Sequence, residues 1–211
     1  MEPGINDNKN RLYPVFLKLE QLNILLVGAG NVGLEKLNSL LGNSPAARIT
    51  VVAPIVKPEV RELLNRHPSC ILQARPFELS DLEQKELVFL ATDDPGLHAY
   101  IKQSAAAKGI LVNVADTPDL CDFYLGSIVQ KGSLKIAIST NGKSPTIAKR
   151  VKEAIANLLP DEIDSLLDNL QKIRNGMTGD FQEKVRRLNE LTRDLTDDFT
   201  HSEINVPHHE K

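Results

Sequence analysis

Two features of the sequence carry candidate chemistry: a glycine turn spaced for a dinucleotide, and a carboxylate just past the end of a later strand. The turn lies in Ile24-Leu25-Leu26-Val27-Gly28-Ala29-Gly30-Asn31-Val32-Gly33, where an apolar run ends in glycines at the first, third and sixth places of the motif. Gly28 lets the chain turn sharply, Gly30 leaves no Cβ between backbone and pyrophosphate, and Gly33 lets the next helix sit close on the strand. That helix would offer free N–H groups and a partial positive charge to phosphates. The alternative is a glycine-rich turn that binds nothing. The carboxylate is Asp116, in Asn113-Val114-Ala115-Asp116-Thr117-Pro118. Beside a nicotinamide it could take a proton while hydride leaves. Residue chemistry alone favours a simpler role, a turn aspartate bonding its own backbone.

The elements around these residues read as a parallel sheet. A strand, the glycine turn and an amphipathic helix from Leu34 to Leu41 are followed by a second strand, Arg48–Ala53. That strand ends Ala53-Pro54-Ile55, without the acid that often holds the ribose hydroxyls, so the choice between NAD and NADP stays open. Residues 57–66 read as a helix, and Cys70–Arg75 as a strand. Leu87–Ala91 is a strand that ends in Thr92-Asp93-Asp94, with a helix opening at Pro95 and one of the two aspartates as its cap. Ile110–Val114 is the last strand of the set. Apolar strands alternating with helices predict an α/β, Rossmann-like parallel sheet covered on both faces. Gly28, Pro54, Thr92, Asn113 and Asp116 then gather at its carboxyl edge. Earlier in the chain, Leu12–Leu19 reads as an edge strand or extended arm, since Pro14 cannot donate to a ladder. Residues 1–10 read as a disordered lead-in.

After Asp116 the pattern changes. Ser127–Gln130 and Ser133–Ile138 flank Lys131-Gly132 as a β-hairpin. Ser144 is placed to cap a helix that begins at Pro145. That helix carries Ile147, Val151, Ile155, Leu158 and Leu159 on one side and Lys149, Arg150 and Lys152 on the other. Gly142-Lys143-Ser144 is not a P-loop, because Ala137 stands where the first glycine is needed. With Lys143, Lys149 and Arg150, the helix N-terminus at Ser144 could instead receive carboxylates; a solvated basic face is the equal alternative. Two further apolar stripes, Ile163 to Ile173 and Phe181 to Leu195, predict helices interrupted at Gly176 and Gly179. They need each other, the hairpin or a second subunit to be buried. The expected organisation is residues 1–115 as a nucleotide-binding domain, 116–150 as a dimerisation and substrate segment, and 151–211 as a helical region with a loose tail from Asp197.

Bulk properties exclude several classes. The 211 residues hold a real core, at 41% hydrophobic, and a net charge of -3 disfavours a general nucleic-acid binder. No apolar run approaches the ~18 residues that span a bilayer, and no signal-peptide core is present. Cys70 and Cys121 have no metal or redox spacing, which fits a reducing cytoplasm. No metal site is expected from His67, His98, His201, His208 or His209.

Five stretches in order carry a resemblance: Leu12–Leu17, Val27–Lys36, Ala91–Asp94, Asn113–Asp116 and Ile138–Pro145. Together they resemble the precorrin-2 dehydrogenase family, the N-terminal module of sirohaem synthase, over about residues 11–160. The resemblance implies NAD-dependent oxidation of precorrin-2 to sirohydrochlorin, on the way to sirohaem or cobalamin. It implies Asp116 as the catalytic residue, which reverses the preference stated above. It implies that Asn31, Val32, Pro54 and Ile55 contact NAD. It further implies an interleaved homodimer and a substrate with eight carboxylates, for which Lys143, Lys149 and Arg150 would form a basic rim. Some relatives also insert Fe2+, a point the sequence leaves open, and Thr140 stands where some relatives carry a phosphorylated serine. With no methyltransferase domain in these residues, the upstream uroporphyrinogen methylation is expected from a separate protein. The alternative function is an NAD(H)-binding redox sensor that turns over no tetrapyrrole.

Overall fold

The computed structural model describes residues 10–178 and 180–192. Residues 1–9 of the expected lead-in and the expected tail from Asp197, with His201, His208 and His209, lie outside the described residues, as do Gly179 and Leu195. Two compact units divide between Leu125 and Gly126.

The first unit is a five-stranded parallel sheet. Its elements are β1 (Asn23–Ala29), α1 (Asn31–Asn43), β2 (Arg48–Val56), α2 (Pro58–Asn65), β3 (Ile71–Gln73), β4 (Leu87–Leu90), α3 (Pro95–Ala106) and β5 (Leu111–Val114). The strand order is β3-β2-β1-β4-β5. The order reverses direction from β1, so the crevice at a topological switch point opens beside the glycine turn. Strands this apolar have two buried faces, and alternate residues serve opposite sides. Ile24, Leu26, Ile49, Val51 and Phe89 pack with Leu37, Leu40 and Leu41 of α1 and Val60, Leu63 and Leu64 of α2. Leu25, Val27, Val88, Leu90 and Val112 pack with Ile101 and Ala105 of α3. Each fully buried Leu, Ile, Val or Phe contributes about 1.5–3 kcal/mol of transfer free energy, so this double-sided core fixes the strand ends that carry the site.

Residues 12–18 form no strand. Pro14 breaks a ladder, and Tyr13 and Phe16 stand out from the surface instead of packing in the sheet. β2 runs past the expected Ala53 to Val56.

The second unit pairs β6 (Ser127–Lys131) with β7 (Leu134–Ile138) as an antiparallel hairpin, followed by α4 (Pro145–Leu158), α5 (Ile163–Gly176) and α6 (Phe181–Leu191). Among the described residues of this unit, Val129, Ala148 and Ile163 are the buried apolar ones. Ile147, Val151 and Leu158 of α4, and Phe181, Val185 and Leu191 of α6, remain exposed. Among the described residues no helix is long and apolar enough to cross a membrane.

Candidate dinucleotide-binding site

The three glycines of the turn have three different physical reasons. Gly28 has φ +107°, and a Cβ there would lie 2.3 Å from the Ala91 carbonyl oxygen. Conformation and space both exclude a side chain. A Cβ on Gly33 would lie 2.2 Å from the Gly28 carbonyl oxygen, so α1 rests directly on the turn. Gly30 is the opposite case, with nothing within 4 Å of its missing Cβ.

The open space over Gly30 faces the start of α1. That helix has no side-chain cap and no acid in its first turn. Its first helical bond runs from Leu34 N to the Gly30 carbonyl at 2.9 Å, leaving the N–H groups of Asn31, Val32 and Gly33 ahead of it. Three uncapped donors, a helix dipole and open space where a side chain would stand are what a pyrophosphate needs. The residues present therefore fit a dinucleotide.

β2 flanks the cradle in an unexpected way. Val27 pairs with Val52 and Ala29 with Val56, so Ala53, Pro54 and Ile55 stand opposite Gly28 alone. Pro54, which has no N–H for the ladder, and Ile55, which is 84% exposed, are thus pushed out beside the turn. Just beyond, Lys57 N donates to the Ala29 carbonyl at 3.1 Å. Lys57 Nζ donates to Asn31 Oδ1 at 2.6 Å and lies 3.8 Å from the Glu59 carboxylate. Sequence reasoning missed Lys57 because it looked for an acid at the end of β2 and stopped at Ile55.

Thr92 follows β4. Its Oγ1 lies 2.8 Å from Nε2 of the buried His98 and accepts from Asp94 N at 3.4 Å. Burial lowers the His98 pKa below its usual value against the opposing pull of Asp94. The expected cap is present, with Leu97 N donating to Asp94 Oδ1 at 3.0 Å.

β5 delivers Asp116 through a turn that is locked from behind. Asn113 is buried, and its Nδ2 donates to the Phe123 carbonyl at 2.8 Å. That amide holds backbone, so its contribution is to position the chain after Asp116. The Cys121 thiol accepts from Val114 N and donates to Val114 O, each at 3.2 Å. Asp122 accepts from Val112 N at 2.8 Å and pairs with Lys102. Burial raises the Asp122 pKa, but Lys102 and the Val112 N–H outweigh it and hold the carboxyl below its usual range. The Phe123 ring meets Phe89 edge-on, 5.5 Å between centroids. Cys121 and Asp122 were not legible as anchors, because their partners are backbone atoms of β5.

Asp116 itself has φ +55° and is exposed. Its side chain makes no hydrogen bond or ion pair with a described residue. The turn is closed instead by Thr117 Oγ1, which donates to the Ala115 carbonyl at 3.3 Å. Aspartate tolerates this left-handed conformation better than most residues. The self-bonding turn aspartate is therefore not what is present.

In the second unit, Ser144 Oγ accepts from Ile147 N at 3.1 Å and caps α4. Lys143, Lys149 and Arg150 are exposed, and Arg150 pairs with Glu153 at 3.4 Å, one turn along.

A family model described as "Putative NAD(P)-binding" matches residues 15–127, which include the glycine turn and Asp116. The chain belongs to this NAD(P)-binding family. A second model, "Sirohaem biosynthesis protein central", matches residues 131–158, covering β7 and α4. Curated relatives of this NAD(P)-binding chain include the sirohaem synthase of Pseudoalteromonas atlantica, 37% identical over 83% of this chain and 37% of the relative. That of Methylococcus capsulatus is 35% identical over 82% of this chain and 34% of the relative. The chain thus spans about a third of the length of these relatives. A solved structure titled "SirC, precorrin-2 dehydrogenase" shares the fold, with a TM-score of 0.68 at 24% identity over 90% of this chain and 100% of that chain.

Proposed function

We propose that this chain oxidises precorrin-2 to sirohydrochlorin with NAD+, in the formation of sirohaem or a related tetrapyrrole. The observation that carries the proposal is Asp116: an exposed carboxylate without a partner among the described residues, held by a locked turn at the sheet edge that also bears an open phosphate cradle. The family membership and the sirohaem synthase relatives support the same reading.

When bound, the nicotinamide supplies a hydride acceptor. The backbone N–H groups of Asn31, Val32 and Gly33 would hold its pyrophosphate, and Pro54, Ile55, Thr92 and Asn113 would line the rest of the cofactor site. Oxidation of the macrocycle removes one hydride and one proton, and Asp116 accepts the proton. A carboxylate not engaged by its own turn is free to approach the reacting carbon and take the proton. Lys143, Lys149 and Arg150, around the start of α4 at Ser144, receive substrate carboxylates.

The protein works in this scheme as a homodimer in the cytoplasm. The exposed apolar stripes of α4 and α6 support the dimer, since an amphipathic helix face needs a partner to leave water. The sheet unit, with residues 1–115 at its heart, is the cofactor domain; 116–150 shapes substrate and dimer contacts, and 151–211 completes the helical region.

The test is an anaerobic reaction of purified chain, precorrin-2 and NAD+, followed for NADH absorbance and the sirohydrochlorin spectrum. Both should rise together. NADH binding without turnover would favour a redox sensor instead. A second run with Fe2+ asks whether metal insertion follows.

A further inference from the structure

We propose that Lys57 binds the 2′-phosphate of NADP+, so that this site accepts NADP+ as well as NAD+. The inference rests on the nucleotide reading above and extends it to cofactor choice.

Three observations converge on Lys57. First, β2 from Arg48 to Val56 contains no Asp or Glu. The acid that would hold both ribose hydroxyls, and repel a 2′-phosphate, is therefore missing from the strand end where it normally stands. Second, Lys57 is fixed next to the cradle. Its backbone N–H is tied to Ala29 at 3.1 Å and its ammonium to Asn31 Oδ1 at 2.6 Å. Asn31 is the first residue of α1, so the charge sits at the mouth of the phosphate site without further rearrangement. Third, the two-residue bulge of Pro54 and Ile55 lies between the end of the regular ladder and Lys57. This places an exposed apolar surface and a cation side by side, as an adenosine carrying a phosphate requires.

The competing partner is Glu59, 3.8 Å away and more than half exposed. A solvated pair of that kind is weak, and a phosphate dianion displaces it. The pyrophosphate is the other acceptor within reach of a lysine here. The uncapped N–H groups of α1 already serve it, which leaves Lys57 for the phosphate on the ribose.

The experiment is equilibrium titration of the whole chain with NADH and with NADPH, read by nicotinamide fluorescence in the absence of tetrapyrrole. The two dissociation constants should lie within about tenfold of each other in the unmodified chain. Lys57→Met should raise the NADPH-to-NADH ratio of dissociation constants by about tenfold or more, the loss of one charge-assisted contact. Lys57→Arg should keep the ratio, because guanidinium also binds phosphate, and Glu59→Gln should lower it. Thermal melting of each variant checks the fold. Equal weakening of both cofactors in Lys57→Met would put Lys57 on the shared pyrophosphate and overturn the proposal. Failure of the unmodified chain to bind NADPH while it binds NADH would overturn it too. Binding of neither would overturn the nucleotide reading along with it.

Discussion

The α-carbon of Gly28 faces the carbonyl of Ala91 so closely that a Cβ would lie 2.3 Å from the oxygen, at a φ of +107°. Gly30, two residues on, faces open space. The two positions should therefore fail differently. Gly28→Ala should destabilise the fold by about 2 kcal/mol or more through steric and backbone strain. Gly30→Val should melt near the unmodified temperature yet lose NADH affinity by about tenfold or more, because its side chain occupies the phosphate space. Thermal melts paired with NADH titrations separate the two effects.

Asn113 links β5 to the segment that returns from Asp116. Asn113→Ala removes a buried hydrogen bond and leaves the Phe123 carbonyl unsatisfied, at a cost of about 1–3 kcal/mol. Turnover of precorrin-2 should fall more than NADH affinity does, since the loosened part is the turn that aims Asp116. Denaturant melts and separate kcat and NADH titrations check this.

Asp122 should contribute to acid sensitivity. Its folded pKa is lowered, so the stability it supplies is complete above the unfolded aspartate value, about 3.9. That stability declines as pH falls through the lower folded value. Asp122→Asn should be less stable at neutral pH by about 1–2 kcal/mol. Its loss of stability between roughly pH 4 and pH 2 should be shallower than that of the unmodified chain. Urea midpoints across that pH range give the comparison.

The basic face of α4 should act on substrate and not on cofactor. A Lys149→Ala and Arg150→Ala double variant should raise the KM for precorrin-2 by about tenfold, with a weaker dependence on salt. NADH affinity should stay constant, because Lys149 and Arg150 lie on α4 and the cradle is built from the glycine turn and the start of α1.

The parallel sheet was legible because each strand is a short apolar block and each helix start carries a glycine, proline or acidic cap. Asp94 and Ser144 are caps of the kind expected. Position on the sheet edge was legible too, since strand ends set it for Gly28, Thr92 and Asp116. What sequence could not give is the partner of each side chain. Asn113 reads as a cofactor-binding residue, and the structure adds a second role, its Nδ2 donating to the Phe123 carbonyl. Cys121 and Asp122 bind backbone atoms of β5, partners that no spacing in the sequence announces. Lys57 became visible only when the bulge brought it back beside Asn31. The Leu12–Leu19 stretch has strand composition but pairs with no strand among the described residues, so propensity alone did not make a strand.

The most direct measurement compares Asp116→Ala with the unmodified chain in anaerobic turnover of precorrin-2, with NADH binding titrated in parallel. NADH affinity should be retained, since Asp116 lies outside the phosphate cradle, while kcat falls by ~10²–10⁴-fold. Sirohydrochlorin formation at a near-normal rate by a variant that still binds NADH would contradict the assignment of this carboxylate as the base.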